Sequence, residues 1–190
     1  MTMLLIDITG SFNKWRPAAV DAGRRVIADL RAGDCLVVRT IGSRSFDDAA
    51  LPVLKLPTSN RPIDPALQRR VAQLKSQAMT RLEAVRHMPP AGFTDIWGAV
   101  LAAGETLAAA QVGDRSLLIY SDLEDNVGLK VKTTPLRLDG VRVVAAFIPR
   151  QGDPVAFRRR VGRWSTAFQE AGAASVSLYD TNLLPVQQPR

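Results

Sequence analysis

The sequence has very little cysteine and histidine, with one residue of each among 190. A single cysteine excludes an internal disulfide, and one cysteine with one histidine cannot form a zinc site or another soft-metal site. Cys35 stands in the apolar run CLVVRTI, which is typical of a small core residue in a reducing compartment. A metal bound by this chain would therefore be held by oxygen atoms.

Long apolar runs are also missing. No stretch approaches the roughly 18 apolar residues that a membrane-spanning helix requires. The first apolar run has no basic segment before it and stops at Asp7, which is not typical of a secretory signal. We therefore expect a cytoplasmic protein without a membrane span.

The composition otherwise fits one globular domain. Apolar residues make up 46% of the chain, which is enough for one complete core and short for two. We expect a single domain over residues 1–182 and a C-terminal tail over 183–190, with the segment TNLLPVQQPR frayed. The net charge of +7 favours acidic partners, either nucleic acid or an acidic protein surface.

Apolar strands alternate with amphipathic helices along the chain. The strands are predicted over residues 3–8, 35–41, 52–56, 116–122, 141–149 and 175–180. The helices are predicted over residues 17–33, 65–87, 96–111 and 153–171. Several strands are apolar on both faces, as in a parallel sheet, whereas Pro52 and Pro57 confine the third strand to an edge. The pattern predicts an α/β fold with a doubly wound, mostly parallel central sheet, helices on both faces and one short edge strand, expected to be antiparallel.

Oxygen-bearing side chains stand where three separate segments are expected to meet. They follow the first strand, precede the third helix and end the fourth strand: Asp7, Thr9, Ser11, Thr94, Asp95, Ser121 and Asp122. Ligands of open parallel sheets bind beyond the carboxyl ends of the strands, so we expect these side chains to share one edge. Carboxylate and hydroxyl oxygens are the ligands of hard cations such as Mg²⁺ and Mn²⁺. The sequence therefore predicts a divalent-cation site at this edge.

Purely structural interpretations of the same residues remain open. Asp7 and Ser11 can serve strand-end and helix-entry hydrogen bonds, and Thr94 or Asp95 can cap the helix that follows. Two carboxylates about 5 Å apart would repel by roughly 3 kcal/mol at an effective dielectric of 20. A cation between them would remove that cost and stabilise the fold.

Three short motifs carry a family resemblance. DITGS, residues 7–11, resembles the Asp-x-Ser-x-Ser signature of the metal-ion-dependent adhesion site in von Willebrand factor type A (vWA) domains, with Thr9 as the middle residue. FTDI, residues 93–96, is similar to the separate loop threonine of that family, and YSD, residues 120–122, to its later Thr-Asp. The order and spacing also fit, and the resemblance covers about residues 3–180.

The resemblance implies a Rossmann-like fold and a Mg²⁺ or Mn²⁺ ion. The ligands that it implies are Asp7, Thr9, Ser11, Thr94 and Asp122. It also implies that an Asp or Glu of a protein partner takes the last coordination position. Two departures bear on this expectation: Leu123 stands where many family members have glycine, and Asp95 would make the site more negative if it faced the ion.

Two features near the motifs could widen the contact with a partner. The segment FRRRVGRW, residues 157–164, interleaves arginines with aromatic residues and could contact phosphates or an acidic partner, or form a solvated helix face. Its arginines are Arg158, Arg159, Arg160 and Arg163. Trp15 could anchor a partner or pack against the first helix, and Asp95 is also predicted as a partner-binding residue.

Two function classes follow from these residues. The first is a cation-dependent protein-interaction or scaffold module without enzymatic turnover. The alternative is a Mg²⁺- or Mn²⁺-dependent nuclease or phosphotransferase that uses the acidic residues Asp7, Asp95, Asp122 and Glu124. Thr9 and Ser11 weigh against the enzyme, because such sites prefer further carboxylates, and the sequence offers no obvious general base. We therefore favour a protein partner over nucleic acid.

Overall fold

The structure, a computed structural model, describes residues 1–46, 53–60, 64–110, 112–126, 134–150 and 153–186. The strands are β1 (Thr2–Asp7), β2 (Cys35–Ile41), β3 (Leu54–Lys55), β4 (Ser116–Tyr120), β5 (Arg142–Ile148) and β6 (Ser175–Asp180). The helices are α1 (Arg16–Asp29), α2 (Pro65–Arg86), α3 (Ile96–Ala109) and α4 (Pro154–Glu170). The predicted alternation of strands and helices is confirmed within these residues.

The strands form one six-stranded sheet in the order β3-β2-β1-β4-β5-β6. All neighbours are parallel except β3, which pairs antiparallel with β2 at the edge. The predicted mostly parallel sheet with a short antiparallel edge strand is therefore confirmed. Chain order runs outward in opposite directions from β1 and β4, so the position between these two strands is the topological switch point.

Each face of the sheet is covered by a pair of helices. Met3 and Leu5 of β1 pack in the apolar cluster that contains α3 and α4. Leu4 and Ile6 pack in the opposite cluster, which contains α1 and α2. Because successive strand residues point to opposite faces, an uninterrupted apolar strand is what a sheet buried on both sides requires.

Aspartate side chains begin three of the four helices. Asp64 accepts a hydrogen bond from the backbone N–H of Leu67 at 3.0 Å, and Asp153 accepts one from Val155 at 2.8 Å. Asp95 in the same way caps α3. These bonds satisfy backbone donors that have no partner inside the helix.

Some predicted details are wrong. Cys35, expected in the core, is a free thiol that is only half-buried at the start of β2. The first strand ends at Asp7, and β4 ends at Tyr120, so Ser121 and Asp122 lie in the loop beyond it. The β4 boundary places Ser121 and Asp122 in the loop above the ladder, whereas Asp7 remains the last residue of β1.

The chain after β6 folds back instead of fraying. The backbone N–H of Val186 donates to Leu178 at 2.8 Å, and Tyr179 forms an isolated bridge with Pro185. Arg150 donates to the carboxylate of Asp180 at 2.6 Å beside this turn. Residues 187–190 of the predicted tail lie outside the described ranges, and the domain limits stay a prediction. No helix in the described part of the chain is long and apolar enough to cross a membrane.

Candidate metal centre

The side chain of Asp7 lies at the end of β1 and is completely buried, with 0% of its surface exposed. Its Oδ1 accepts hydrogen bonds from the N–H of Thr9 at 2.8 Å and from the Thr9 hydroxyl at 2.6 Å. Its Oδ2 accepts a hydrogen bond from the hydroxyl of Ser121 at 2.6 Å. Burial raises the pKa of Asp7 to about 6, although these hydrogen bonds oppose the shift.

Hydroxyl groups connect Asp7 to a second buried carboxylate. The Thr9 and Ser11 hydroxyl oxygens are 3.4 Å apart, and the Ser11 side chain lowers the pKa of Asp122 by hydrogen bonding. Asp122 accepts a hydrogen bond from the N–H of Glu124 at 2.9 Å. Burial raises the pKa of Asp122, and the charge of Asp122 further raises that of Asp7. The two carboxylates thus face one small polar region between β1 and β4.

Thr94 is brought to the same region by the connection between α2 and α3. The N–H of Ala91 donates to the carbonyl of Ile8 at 3.0 Å, which holds this connection beside the end of β1. Asn126 brackets Thr94, because its side-chain oxygen accepts from the Thr94 N–H at 2.6 Å and its own N–H donates to the Thr94 carbonyl at 3.1 Å. The three predicted segments therefore meet, and Thr94 is buried in the second of them.

Asp95 is directed elsewhere. Its Oδ1 accepts a hydrogen bond from the N–H of Gly98 at 2.8 Å, and its Oδ2 accepts one from the N–H of Ser45 at 3.0 Å. The carboxylate therefore caps α3 and fixes the turn after β2. This agrees with the structural interpretation of the sequence, in which Asp95 caps the helix that follows. Burial raises the pKa of Asp95, and the two hydrogen bonds lower it by a smaller amount. An added Cβ at Gly98 would lie 2.2 Å from the Asp95 Oδ2, so the glycine makes room for this cap.

Donor chemistry at the Asp7 centre suits a hard divalent cation. Carboxylate and hydroxyl oxygens converge there, and none of the ion pairs found among the described residues neutralises Asp7 or Asp122. Across the described chain, no group of three or more His, Cys, Asp or Glu side chains is placed to hold a metal. A cation at this centre would thus depend on hydroxyl oxygens and on ligands from outside the chain.

Leu123 follows Asp122 in a backbone conformation that favours glycine. Its φ is +59°, in the left-handed region that costs an ordinary residue about 1–2 kcal/mol. The side chain is fully buried, and its carbonyl accepts a hydrogen bond from the indole Nε1 of Trp164 at 3.0 Å. Burial and this bond hold Leu123 in this conformation.

The predicted partner-binding residues divide into two groups. Arg160 is turned inward, since it pairs with Glu124 and donates to the carbonyl of Pro149 at 3.1 Å. Trp15 is half-buried and packs against the core on the α1 side, with the Lys14 ammonium 4.9 Å from its ring centroid. The remaining arginines of the segment are exposed on α4: Arg158, Arg159 and Arg163.

Two residues that sequence reasoning did not assign to the centre lie beside it. Asn126 holds Thr94, and the buried Arg16 donates to the carbonyl of Ile8, the residue after Asp7. Ser121, which was expected at this edge but not as a ligand, orients Asp7. Arg16 and Asn126 offered no signal in the sequence, because their roles depend on contacts with distant segments.

No protein-family model and no curated protein matches the sequence. Solved structures do resemble it. The von Willebrand factor type A protein from Catenulispora acidiphila has a TM-score of 0.57 and 16% identity, over 95% of this chain and 39% of that one. The pilus adhesin SpaC from Lactobacillus rhamnosus GG has a TM-score of 0.54 and 9% identity, over 85% of this chain and 26% of that one.

A third similar structure is of nearly the same length. The conserved hypothetical protein BatB from Bacteroides thetaiotaomicron has a TM-score of 0.51 and 15% identity, over 94% of this chain and 89% of that one. The chain spans 39% of the Catenulispora protein and 26% of SpaC, so each of these is much longer. At such identities the likeness concerns the fold, and the fold is that of a vWA domain.

Proposed function

We propose that the chain is a protein-interaction module in which a divalent cation, Mg²⁺ or Mn²⁺, joins the domain to a carboxylate of its partner. The observation that carries this proposal is the series of neighbouring polar side chains Asp7, Thr9, Ser11 and Asp122, which contains two buried carboxylates at the switch point of the sheet. The likeness in fold to a von Willebrand factor type A protein and to a pilus adhesin supports an interaction role.

Each residue of the centre has a distinct role in this proposal. Asp7 and Asp122 would supply the negative charge, and Thr9, Ser11 and Thr94 would supply neutral oxygens. Ser11 is exposed while the two aspartates are buried, so the open side of the centre lies toward Ser11. When bound, the cation supplies a Lewis-acidic position that accepts an oxygen of an Asp or Glu side chain.

The charge of the chain supports an acidic partner surface around that contact. The net charge is +7, and three exposed arginines of α4 are in none of the ion pairs among the described residues, unlike Arg160. They are Arg158, Arg159 and Arg163. Their attraction to an acidic partner should weaken as salt is added.

Two contacts count against the enzymatic alternative. A nuclease or phosphotransferase would need Asp95 and Glu124 beside Asp7 and Asp122 to hold its metal ions. The carboxylate of Asp95 caps α3 instead, and Glu124 pairs with Arg160. Asp95 and Glu124 are thus engaged elsewhere, which is better suited to a single cation with a ligand from outside.

Thermal melting with Mg²⁺, Mn²⁺ or a chelator tests the cation directly. We expect either cation to raise the Tm of the parent protein and to leave that of Asp7→Ala unchanged, because a ligand that binds only the folded state stabilises it. Asp114→Ala is the matched control, since it removes an exposed carboxylate far from the centre. Equal melting of the parent in all three conditions would refute the proposal.

A nuclease assay separates the two function classes. The protein is incubated with single-stranded and duplex DNA and RNA in Mn²⁺, beside Asp122→Ala. We expect no cleavage in either sample. Cleavage by the parent that Asp122→Ala abolishes would establish the enzymatic alternative in place of the interaction module.

A further inference from the structure

Arg16, the first residue of α1, is one of the largest fully buried side chains of the protein, with 1% of its surface exposed. Its Nη1 donates to the carbonyl of Met88 at 2.5 Å, and its Nη2 donates to the carbonyl of Ile8 at 2.8 Å. Its buried Nε has no hydrogen-bond partner in the part of the chain that the structure describes. The guanidinium therefore lies between the loop after β1 and the connection that carries Thr94.

Both bonded partners of Arg16 are neutral carbonyls. None of the ion pairs among the described residues includes Arg16. Burial lowers the pKa of Arg16, and the negative charge of Asp7 raises it. A buried cation without a direct ionic contact is costly. The two carbonyl hydrogen bonds offset part of this cost, and the negative charge of Asp7, next to Ile8 in the chain, offsets a further part.

The same relation holds in the other direction. Asp7 and Asp122 are buried carboxylates, and each raises the cost of keeping the other ionised. With no cation bound, the charge of Arg16 offsets part of this repulsion. With a divalent cation bound, the guanidinium and the ion would be two like charges that share one carboxylate.

We propose that Arg16 is an internal counter-charge of the metal centre, which stabilises the centre without its cation and weakens the binding of the cation. The first half of this inference concerns the metal-free protein and stands alone, and the second half rests on the proposed function. Weak intrinsic cation binding has a functional consequence. Occupancy of the centre then depends on the partner carboxylate as an additional ligand, so cation and partner bind together.

Titration with Mn²⁺ alone, followed by calorimetry or by the electron paramagnetic resonance of the free ion, tests the second half. Arg16→Gln should bind Mn²⁺ more tightly than the parent by roughly tenfold or more, because a repelling charge is gone. Arg16→Lys keeps the charge and should bind like the parent. Arg25→Gln, an exposed position on the same helix, controls for the change in net charge.

A double-mutant cycle in chelator tests the first half without any metal. The Tm is measured for the parent, Arg16→Gln, Asp7→Asn and the double variant. Arg16→Gln should lower the Tm in the parent background and lower it much less, or not at all, when Asp7 is already neutral. Equal effects in both backgrounds would overturn the counter-charge.

The remaining outcomes are also decisive. Mn²⁺ binding by Arg16→Gln that is equal to or weaker than that of the parent would overturn the effect on cation affinity. If the parent binds no Mn²⁺, the proposed function fails, and the cycle in chelator still decides on the counter-charge. If Arg16→Gln does not fold, recovery of folding by adding Asp7→Asn supports the inference, and no recovery overturns it.

Discussion

The hydroxyl of Ser121 donates a 2.6 Å hydrogen bond to the Oδ2 of Asp7, which joins two buried residues 114 positions apart in the sequence. The same hydroxyl oxygen accepts a hydrogen bond from the N–H of Leu123 at 3.0 Å. One serine side chain thus orients the carboxylate at the end of β1 and begins the turn that carries Asp122. The centre is built across β1 and β4, and neither strand could form it alone.

Replacement of this serine should destabilise the protein and weaken cation binding. Ser121→Ala removes a donor to Asp7 and an acceptor for Leu123, so we expect a loss of about 1–3 kcal/mol in the free energy of unfolding. Urea denaturation in chelator measures this loss. Ser165→Ala, at a buried position in α4, is the control and should cost less. An unchanged stability of Ser121→Ala would contradict the orienting role.

The pKa of Asp7 predicts an unusual dependence of stability on pH in the absence of cations. The folded protein binds this proton more tightly than the unfolded chain, since the pKa is about 6 against an ordinary 3.8. The Asp7 contribution therefore favours folding least above pH 6, and it becomes more favourable as the pH falls toward 4. The full difference amounts to about 3 kcal/mol as an upper estimate.

Comparison with Asp7→Asn isolates this contribution from other titrating groups. In chelator, the stability of the parent relative to the variant should decrease as the pH rises from about 4 to about 7. With saturating Mn²⁺ the trend should reverse, because the cation requires the ionised carboxylate and competes with the proton. A difference between parent and variant that is independent of pH in chelator would show that Asp7 titrates normally.

The conformation of Leu123 predicts an unusual order of substitutions. Leu123→Ala should lose about 2–5 kcal/mol, because it removes a fully buried side chain. Glycine ordinarily costs about 0.5–1 kcal/mol more than alanine in regular structure, but at a φ of +59° it relieves strain. We therefore expect Leu123→Gly to be at least as stable as Leu123→Ala. At Leu117, in the middle of β4, glycine should be the less stable of the two.

The role of Asp95 can be separated from metal ligation. Asp95→Ala should cost about 2–4 kcal/mol of stability, because it removes a helix cap and an anchor for the turn at Ser45. Mn²⁺ affinity, measured at a temperature where the variant is folded, should stay close to that of the parent. Loss of Mn²⁺ binding in Asp95→Asn without loss of stability would mean instead that this carboxylate is a ligand.

Much of the fold could be predicted because its signals are local. The apolar run of β1 and the spacing of Val161, Trp164 and Phe168 on α4 each specify which surface is buried. The strand over residues 175–180 coincides with the prediction. The end of β4 was predicted two residues too late, because the polar residues Ser121 and Asp122 directly follow its apolar run although the ladder ends before them.

The orientation of the side chains at the centre could not be predicted from the sequence. Thr94 and Asp95 are adjacent, and by residue type each could either cap the helix or bind a metal. The Asp95 carboxylate takes the structural role because it also accepts a hydrogen bond from the N–H of Ser45, in another loop. The burial of Arg16 depends on the Met88 carbonyl, 72 positions away. Hydropathy alone would have placed that arginine on the surface.

The sequence by itself determined the alternation of strands and helices, the absence of soft-metal ligands and the three segments rich in oxygen ligands. These properties depend on residue type and on spacing of a few positions, which a linear pattern records. Only the tertiary structure decided that Asp7 and Asp122 share one polar region, that Asp95 turns away and that a guanidinium lies buried nearby. Each of those outcomes depends on which backbone groups of distant segments lie next to a side chain. The pairing of parallel strands determines these neighbours, because it joins segments that are far apart in the chain.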